Sequence, residues 1–233
     1  MVSIDGQVVL VTGGNRGLGR AFVAEALARG AAKVYATSRT GEPWGDPRVV
    51  AIALEVTDAE AVAGLVDQAP DVSVLINNAG IAEAAPLVSG DLAAIRRDLE
   101  VDLFGPLLVT RALAPALAAH DGGAILNVHS VLSWAHLSGS NSVAKAALWA
   151  ATNSIRLELA GQGTHVVGLH VGYIDTDMAA TVTAAKNAPA DVARAGLDAI
   201  ESGAVEVVVD DLSRTVKAGL AADPAELYAQ LTR

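Results

Sequence analysis

From Gly122 to Ile155 the only Asp, Glu, Lys or Arg is Lys145. An ammonium in so apolar a stretch is costly unless something pairs with it, so Lys145 points to a bound ligand. A lysine stem lying along apolar surface with its charge in water is the plainer alternative. Near the N-terminus, "TGGNRGLGR" (12–20) spaces Gly13, Gly17 and Gly19 as G-x-x-x-G-x-G, with Asn15, Arg16 and Leu18 between them. Glycine lets the chain turn sharply and lets a pyrophosphate approach main-chain N–H groups. The start of a following helix adds its dipole. An ordinary glycine-rich turn would look the same in isolation. Further on, "YATSRT" puts Ser38 and Arg39 where an acid would read a ribose 2′-hydroxyl. The guanidinium groups of Arg39 and Arg16 can instead pair with a 2′-phosphate. NADP(H) is therefore expected over NAD(H), with two solvated surface arginines as the alternative.

These residues need a scaffold, and the chain's pattern supplies one. The 233 residues are 52% hydrophobic, enough for one large core. A net charge of −10 argues against a nucleic-acid partner. No uninterrupted apolar run reaches the roughly 18–20 residues of a membrane span. The start MVSIDGQVVL lacks a signal-peptide pattern, and cysteine is absent. A soluble, cytoplasmic protein without membrane partners is the expectation. Apolar runs at 7–12, 33–38, 49–56, 72–77, 123–128, 165–170 and 205–210 read as strands. Helical patterns lie between them at 18–30, 57–68, 91–119, 141–160 and 189–201, the third with a break near Gly105-Pro106. Thr57 and Glu60 have the spacing of a capping box. Strands without alternation are buried on both faces. The fold class is α/β: one domain over 1–233, a Rossmann-like doubly wound parallel sheet of about seven strands with helices on both faces. Ligands bind such sheets beyond the carboxyl ends of the strands.

T-G-x-x-x-G-x-G at 12–19, "NNAG" at 77–80, Ser130 after the fifth strand and "AKAAL" at 144–148 together resemble the short-chain dehydrogenase/reductase family, over about residues 5–210. The resemblance implies that Asn78, Ala79 and Gly80 pass beside the adenosine. It sets Glu55 and Val56 at the adenine, where Asp-Val is usual. In "VGYIDTDM" (171–178) it places Gly172, and Thr176 at the nicotinamide carboxamide. It also implies a small-molecule substrate, a homodimer or homotetramer packed through helix 141–160, and Lys145 holding the nicotinamide ribose. In the family that lysine also tunes a tyrosine four residues earlier, on the same helix face.

Here that position is Asn141. The interval from Ser130 is two residues shorter than usual, and Asp102 stands where the family commonly has Asn. An amide neither gives nor takes a proton near neutral pH. Positioned acid–base groups are worth about 10²–10⁴ in rate, so some other group is needed if carbonyl chemistry is run. Asp102, if the fold brings it near Lys145, His129 next to Ser130, and Tyr173 after the sixth strand are the candidates, each with a plain structural role as its alternative. His136 lies in the shortened loop. No ligand spacing supports a metal. Three readings follow. The first is an NADP(H)-dependent oxidoreductase of a ketone, aldehyde or secondary alcohol with a rebuilt donor. The second is a non-redox dehydration, cyclisation or isomerisation on the same scaffold. The third is a silent cofactor-binding protein. The Ala-rich segment 178–190 suggests a small-to-medium, fairly apolar substrate.

Overall fold

A computed structural model describes residues 2–231. Seven parallel strands form one sheet: β1 Val8–Val11, β2 Lys33–Ser38, β3 Val49–Ala53, β4 Val74–Asn77, β5 Ala124–Val128, β6 His165–His170 and β7 Glu206–Val208. Their order is β3-β2-β1-β4-β5-β6-β7. The chain reverses direction across the sheet between β1 and β4, and a crevice opens there beyond the strand ends.

Side-chain alternation splits the core in two. Val9, Val11, Ile76 and Leu126 pack against α1 (Gly17–Ala28) and α7 (Pro189–Ser202) through Phe22, Val23, Leu197 and Ile200. Leu10, Leu75 and Ile125 face the other way, against Val109, Leu113 and Leu117 of α5 (Gly105–Ala119) and Ile155 of α6 (Gly139–Glu158). Strands buried on both faces explain the unbroken Val/Ile/Leu runs.

Several expected boundaries shift. The helix expected at 57–68 is two short ones, α2 (Ala59–Ala63) and α3 (Leu65–Gln68), meeting at Gly64. Its cap is Asp58, whose carboxylate accepts the N–H groups of Glu60 and Ala61 at 3.0 and 3.1 Å, and not Thr57. The third strand stops at Ala53, before Glu55 and Val56. The final strand covers only Glu206–Val208. Two helices unmarked by the sequence pattern follow it, α8 (Asp211–Ala218) and α9 (Pro224–Leu231). Between α4 (Leu92–Leu99) and α5 the break takes the form of a π-helical turn, Glu100–Phe104. Leu92–Ala119 is long and apolar enough, by length and composition, to cross a membrane. Its Val109, Leu113 and Leu117 are nevertheless fully buried in the sheet core.

Candidate active site

At the end of β1 the chain turns through Gly13 (φ +66°) and Gly17 (φ +51°), conformations that glycine adopts without strain. A Cβ on Gly19 would fall onto the Gly13 carbonyl oxygen and within 2.6 Å of the Asn78 amide nitrogen. Thr12 ties this loop to the segment after β4. Its Oγ1 accepts the N–H groups of Asn78 and Ala79 at 2.9 and 3.0 Å, and Asn78 Nδ2 donates to Thr12 O at 2.8 Å. The first turn of α1 carries no acidic residue, and its N-cap, Arg16, makes no side-chain cap. Close-packed glycines and open helix amides fit a dinucleotide pyrophosphate.

Around this cradle, Arg16 is exposed, 3.9 Å from Asp177, and Arg39 is exposed at the end of β2. Ser38 Oγ accepts from Gly41 N–H at 3.0 Å, holding the turn behind Arg39. Asn15 reaches outward to Glu42 at 3.5 Å, and Leu18 packs into the core. Glu55 is exposed, and Val56 is buried where Gly105 crosses it. Thr176 comes close to Gly17: a Cβ there would lie 3.2 Å from its methyl.

Deeper in, the π-helical turn aims Asp102 into the interior, where it is 0% exposed. Its Oδ1 accepts from Lys145 Nζ at 3.0 Å and its Oδ2 from Asn141 Nδ2 at 3.3 Å. Burial pushes the Asp102 carboxyl above its ordinary range, and Lys145 opposes that shift. Asn141 also donates to Ile81 O at 3.0 Å. Gly80 must lack a side chain here, since a Cβ would lie 2.6 Å from Asp102 Oδ1 and 3.7 Å from Lys145 Nζ. Lys145, 14% exposed, also reaches Val128 O at 3.4 Å, two residues before Ser130. Ser130 Oγ accepts from Leu132 N–H at 3.2 Å, which leaves its own proton to donate. Asp102, Asn141, Lys145 and Gly80 thus form one cluster at the ends of β4 and β5.

Two candidates do not join it. His129 continues the alternation of Ile125 and Asn127 and faces α6. It is 2% exposed, lies 3.1 Å from Thr152 Oγ1, and stacks on His170 with centroids 4.7 Å apart. Burial, with His170 and Lys145 nearby, holds its pKa well below normal. Its ring is turned into the core and away from the Asp102–Lys145 cluster, which favours the structural role given above as its alternative. Tyr173 is half exposed and lines, with Gly172, Lys186, Asn187 and Asp210, a cavity of about 370 Å³. His136 sits in the shortened loop, where its N–H donates to Tyr228 Oη at 3.0 Å.

The residues that support the cluster carry no local mark in the sequence. Asp98, fully buried, accepts from Glu83 N, Ala84 N and Ser140 Oγ at 3.0, 3.1 and 2.5 Å, fixing the 81–85 segment to the start of α6. Asn77 donates to Thr110 and Asn127, and Asn127 to Thr152, as a buried ladder beneath the cluster. The adjacent register Asn77↔Asn127 was the available signal, visible only once the strands are paired.

The family model described as short chain dehydrogenase matches residues 7–187. A ketoacyl reductase of Nostoc sp. is 31% identical, over 90% of this chain and 80% of its own. A cis-4-hydroxycyclohexanecarboxylate dehydrogenase of Sinomonas cyclohexanicum is 35% identical, over 80% and 78%. Among solved structures, a short chain dehydrogenase from Burkholderia cenocepacia in complex with NADP is 40% identical, covers 100% of both chains and superposes with a TM-score of 0.92.

Proposed function

The chain belongs to the short-chain dehydrogenase/reductase family, and from that membership we propose that it is an NADP(H)-dependent oxidoreductase with a rebuilt proton donor. Its substrate is a small-to-medium ketone or aldehyde, or the matching secondary alcohol. The observation that carries this is the buried Asp102–Lys145 pair at 3.0 Å, sitting where Gly80 leaves it room.

Loop amides from Gly13 to Gly19 would hold the pyrophosphate of NADP(H), and Arg16 and Arg39 its 2′-phosphate. The chemistry such a cofactor would supply is hydride transfer. Ser130, its Oγ already accepting from Leu132, donates a hydrogen bond to the carbonyl oxygen and keeps its own proton. Lys145 uses two of its N–H groups on Asp102 and Val128 O. The third proton goes to the developing alkoxide. Asp102 holds the ammonium in place from below, and Asn141 orients Asp102. Helix α6, with Val143 and Leu157 exposed, packs on a second copy in a homodimer or homotetramer.

The test is NADPH oxidation with a panel of alicyclic ketones, aldehydes and β-keto thioesters. Turnover with at least one is expected, and Asp102→Asn should lower kcat by about 10²-fold, the lower range for a positioned acid–base group. A second reading, proton-shuffling without hydride transfer, draws on Asn141, whose amide hydrogens go to Ile81 O and Asp102. Transfer of deuterium from C4-labelled NADPH to product rejects it. Tight NADPH binding with no turnover across the panel overturns the redox reading.

A further inference from the structure

The irregular stretch between β6 and α7 is closed by one carboxylate. Asp210 follows β7, and its Oδ2 accepts Gly172 N–H at 2.6 Å and Asn187 Nδ2 at 3.1 Å. Its Oδ1 accepts Ser213 N–H at 2.8 Å as the cap of α8. Asn187 completes the clasp. It donates to Tyr173 O from its backbone N at 2.8 Å and from Nδ2 at 3.0 Å, and its carbonyl accepts from Asp175 N–H at 3.0 Å. Gly172 is tightly fitted as well: a Cβ there would lie 3.3 Å from Asp210 Oδ2. Burial pushes the Asp210 carboxyl up, but Gly172, Ser213 and Asn187 together hold it below the ordinary range.

The clasped stretch approaches the phosphate loop on one side and lines a cavity of its own on the other. Beyond the clasp, Thr176 approaches Gly17 of the phosphate loop, and Asp177 lies 3.9 Å from Arg16. Within it, Tyr173, Lys186 and Asn187 line the 370 Å³ cavity with Asp210 itself. The structure assigns Asp210 as a positioning residue: acting through Gly172 and Asn187, it holds the 172–187 wall in place for cofactor and carbonyl substrate. The substrate half of this assignment rests on the redox reading above.

The chemistry demands an acceptor on both oxygens, because all three partners are donors. An amide at 210 meets a donor with a donor on one side in either orientation, whereas glutamate keeps two acceptors. The experiment uses the full chain in three forms, wild type, Asp210→Asn and Asp210→Glu. It reads trypsin cleavage after Lys186 by mass spectrometry, NADPH affinity by fluorescence, and KM against kcat with whichever carbonyl compound is turned over. Losing a charge-assisted hydrogen bond is worth about tenfold. Asp210→Asn should therefore cleave after Lys186 about tenfold faster, with NADPH Kd and carbonyl KM raised about tenfold and kcat changed less than about threefold. Asp210→Glu should lie between the two. Cleavage at the wild-type rate in a cooperatively melting Asp210→Asn overturns the clasp. Faster cleavage with unchanged Kd and KM overturns the positioning role. Should Asp210→Asn fail to fold, Asn187→Ala removes the side-chain ties alone, and an unaltered Lys186 cleavage rate there is equally fatal. A wild-type chain that binds no NADPH defeats the redox reading, while Lys186 cleavage still tests the clasp.

Discussion

Around Gly13–Gly19 the cleft is made of main chain, and around Lys145 it is made of buried side chains. The phosphate loop works through φ angles, missing Cβ atoms and amide direction. The Lys145 end works through a largely buried ion pair, Asp102–Lys145, with two buried imidazoles behind Ser130. Main-chain sites hold their shape at any pH and tolerate no added volume. Buried charged and titratable groups tolerate more in shape but depend on protonation and on their partners. The two ends should therefore fail under different insults.

Acid gives the largest difference. His170 is sealed between His129 and Trp134, stacked on the latter at 3.9 Å. Its Nε2 lies 3.4 Å from Glu206 Oε1, too poorly directed for a hydrogen bond. Burial lowers its pKa to about 3, Ser130 O opposing and Lys217 adding to the shift. The unfolded chain binds this proton below about pH 6.5 and the folded chain does not. Stability then falls as pH drops from about 6.5 towards 3, by up to about 1.4 kcal/mol per pH unit from this one group. Urea titrations of Trp44→Phe, which leaves Trp134 and Trp149 as reporters, should show this slope. His170→Phe in the same background should flatten it, and equal slopes in both would break the contrast.

Removing the partner of a buried charge comes next. Lys145→Met leaves the Asp102 carboxylate unpaired in the interior, at a cost of about 3–5 kcal/mol. Pairing it with Asp102→Leu should recover more than half of that, because a neutral pair leaves no charge stranded. A denaturation double-mutant cycle measures both. A loss under about 1 kcal/mol for the single variant would mean that the pair is solvated like a surface one.

How far the sequence foretold these two ends follows the same division. The phosphate loop was legible because each glycine reports its own backbone requirement, one position at a time. So were the strands, whose Val/Ile/Leu runs state that both faces are covered. The pairing of Asp102 with Lys145 was raised only as a condition, since the two are 43 residues apart and the π-helical turn that aims Asp102 has no composition of its own. For His129, adjacency to Ser130 suggested chemistry, while alternation along β5 sets it with Ile125 and Asn127 on the α6 face. Asp98 and Asp210 were invisible for a related reason: each gathers donors from distant segments, and nothing local marks an acidic residue as a hub. Thr57 and Asp58 are neighbouring good caps, and only the phase of α2 chooses between them.

The smallest effect tests the main-chain end. Gly19→Ala adds one methyl inside α1, where helix propensity alone would favour alanine by about 1 kcal/mol. Its Cβ would meet the Gly13 carbonyl and the Asn78 amide, which are tied together, Asn78 Nδ2 donating to Thr12 O at 2.8 Å and to Gly13 O at 3.4 Å. Overpacking against backbone costs about 1–3 kcal/mol, so the net change should be a loss of about 1 kcal/mol with NADPH binding weakened in step. Gly161→Ala is the control, because a Cβ there meets nothing within 4 Å. It should leave melting temperature and NADPH affinity at or slightly above wild type. If Gly19→Ala matched that control, the loop would have slack. Its glycines would then serve the approach of the pyrophosphate alone and not the packing of Gly13 on Asn78, and the contrast with the Lys145 end would narrow to chemistry without rigidity.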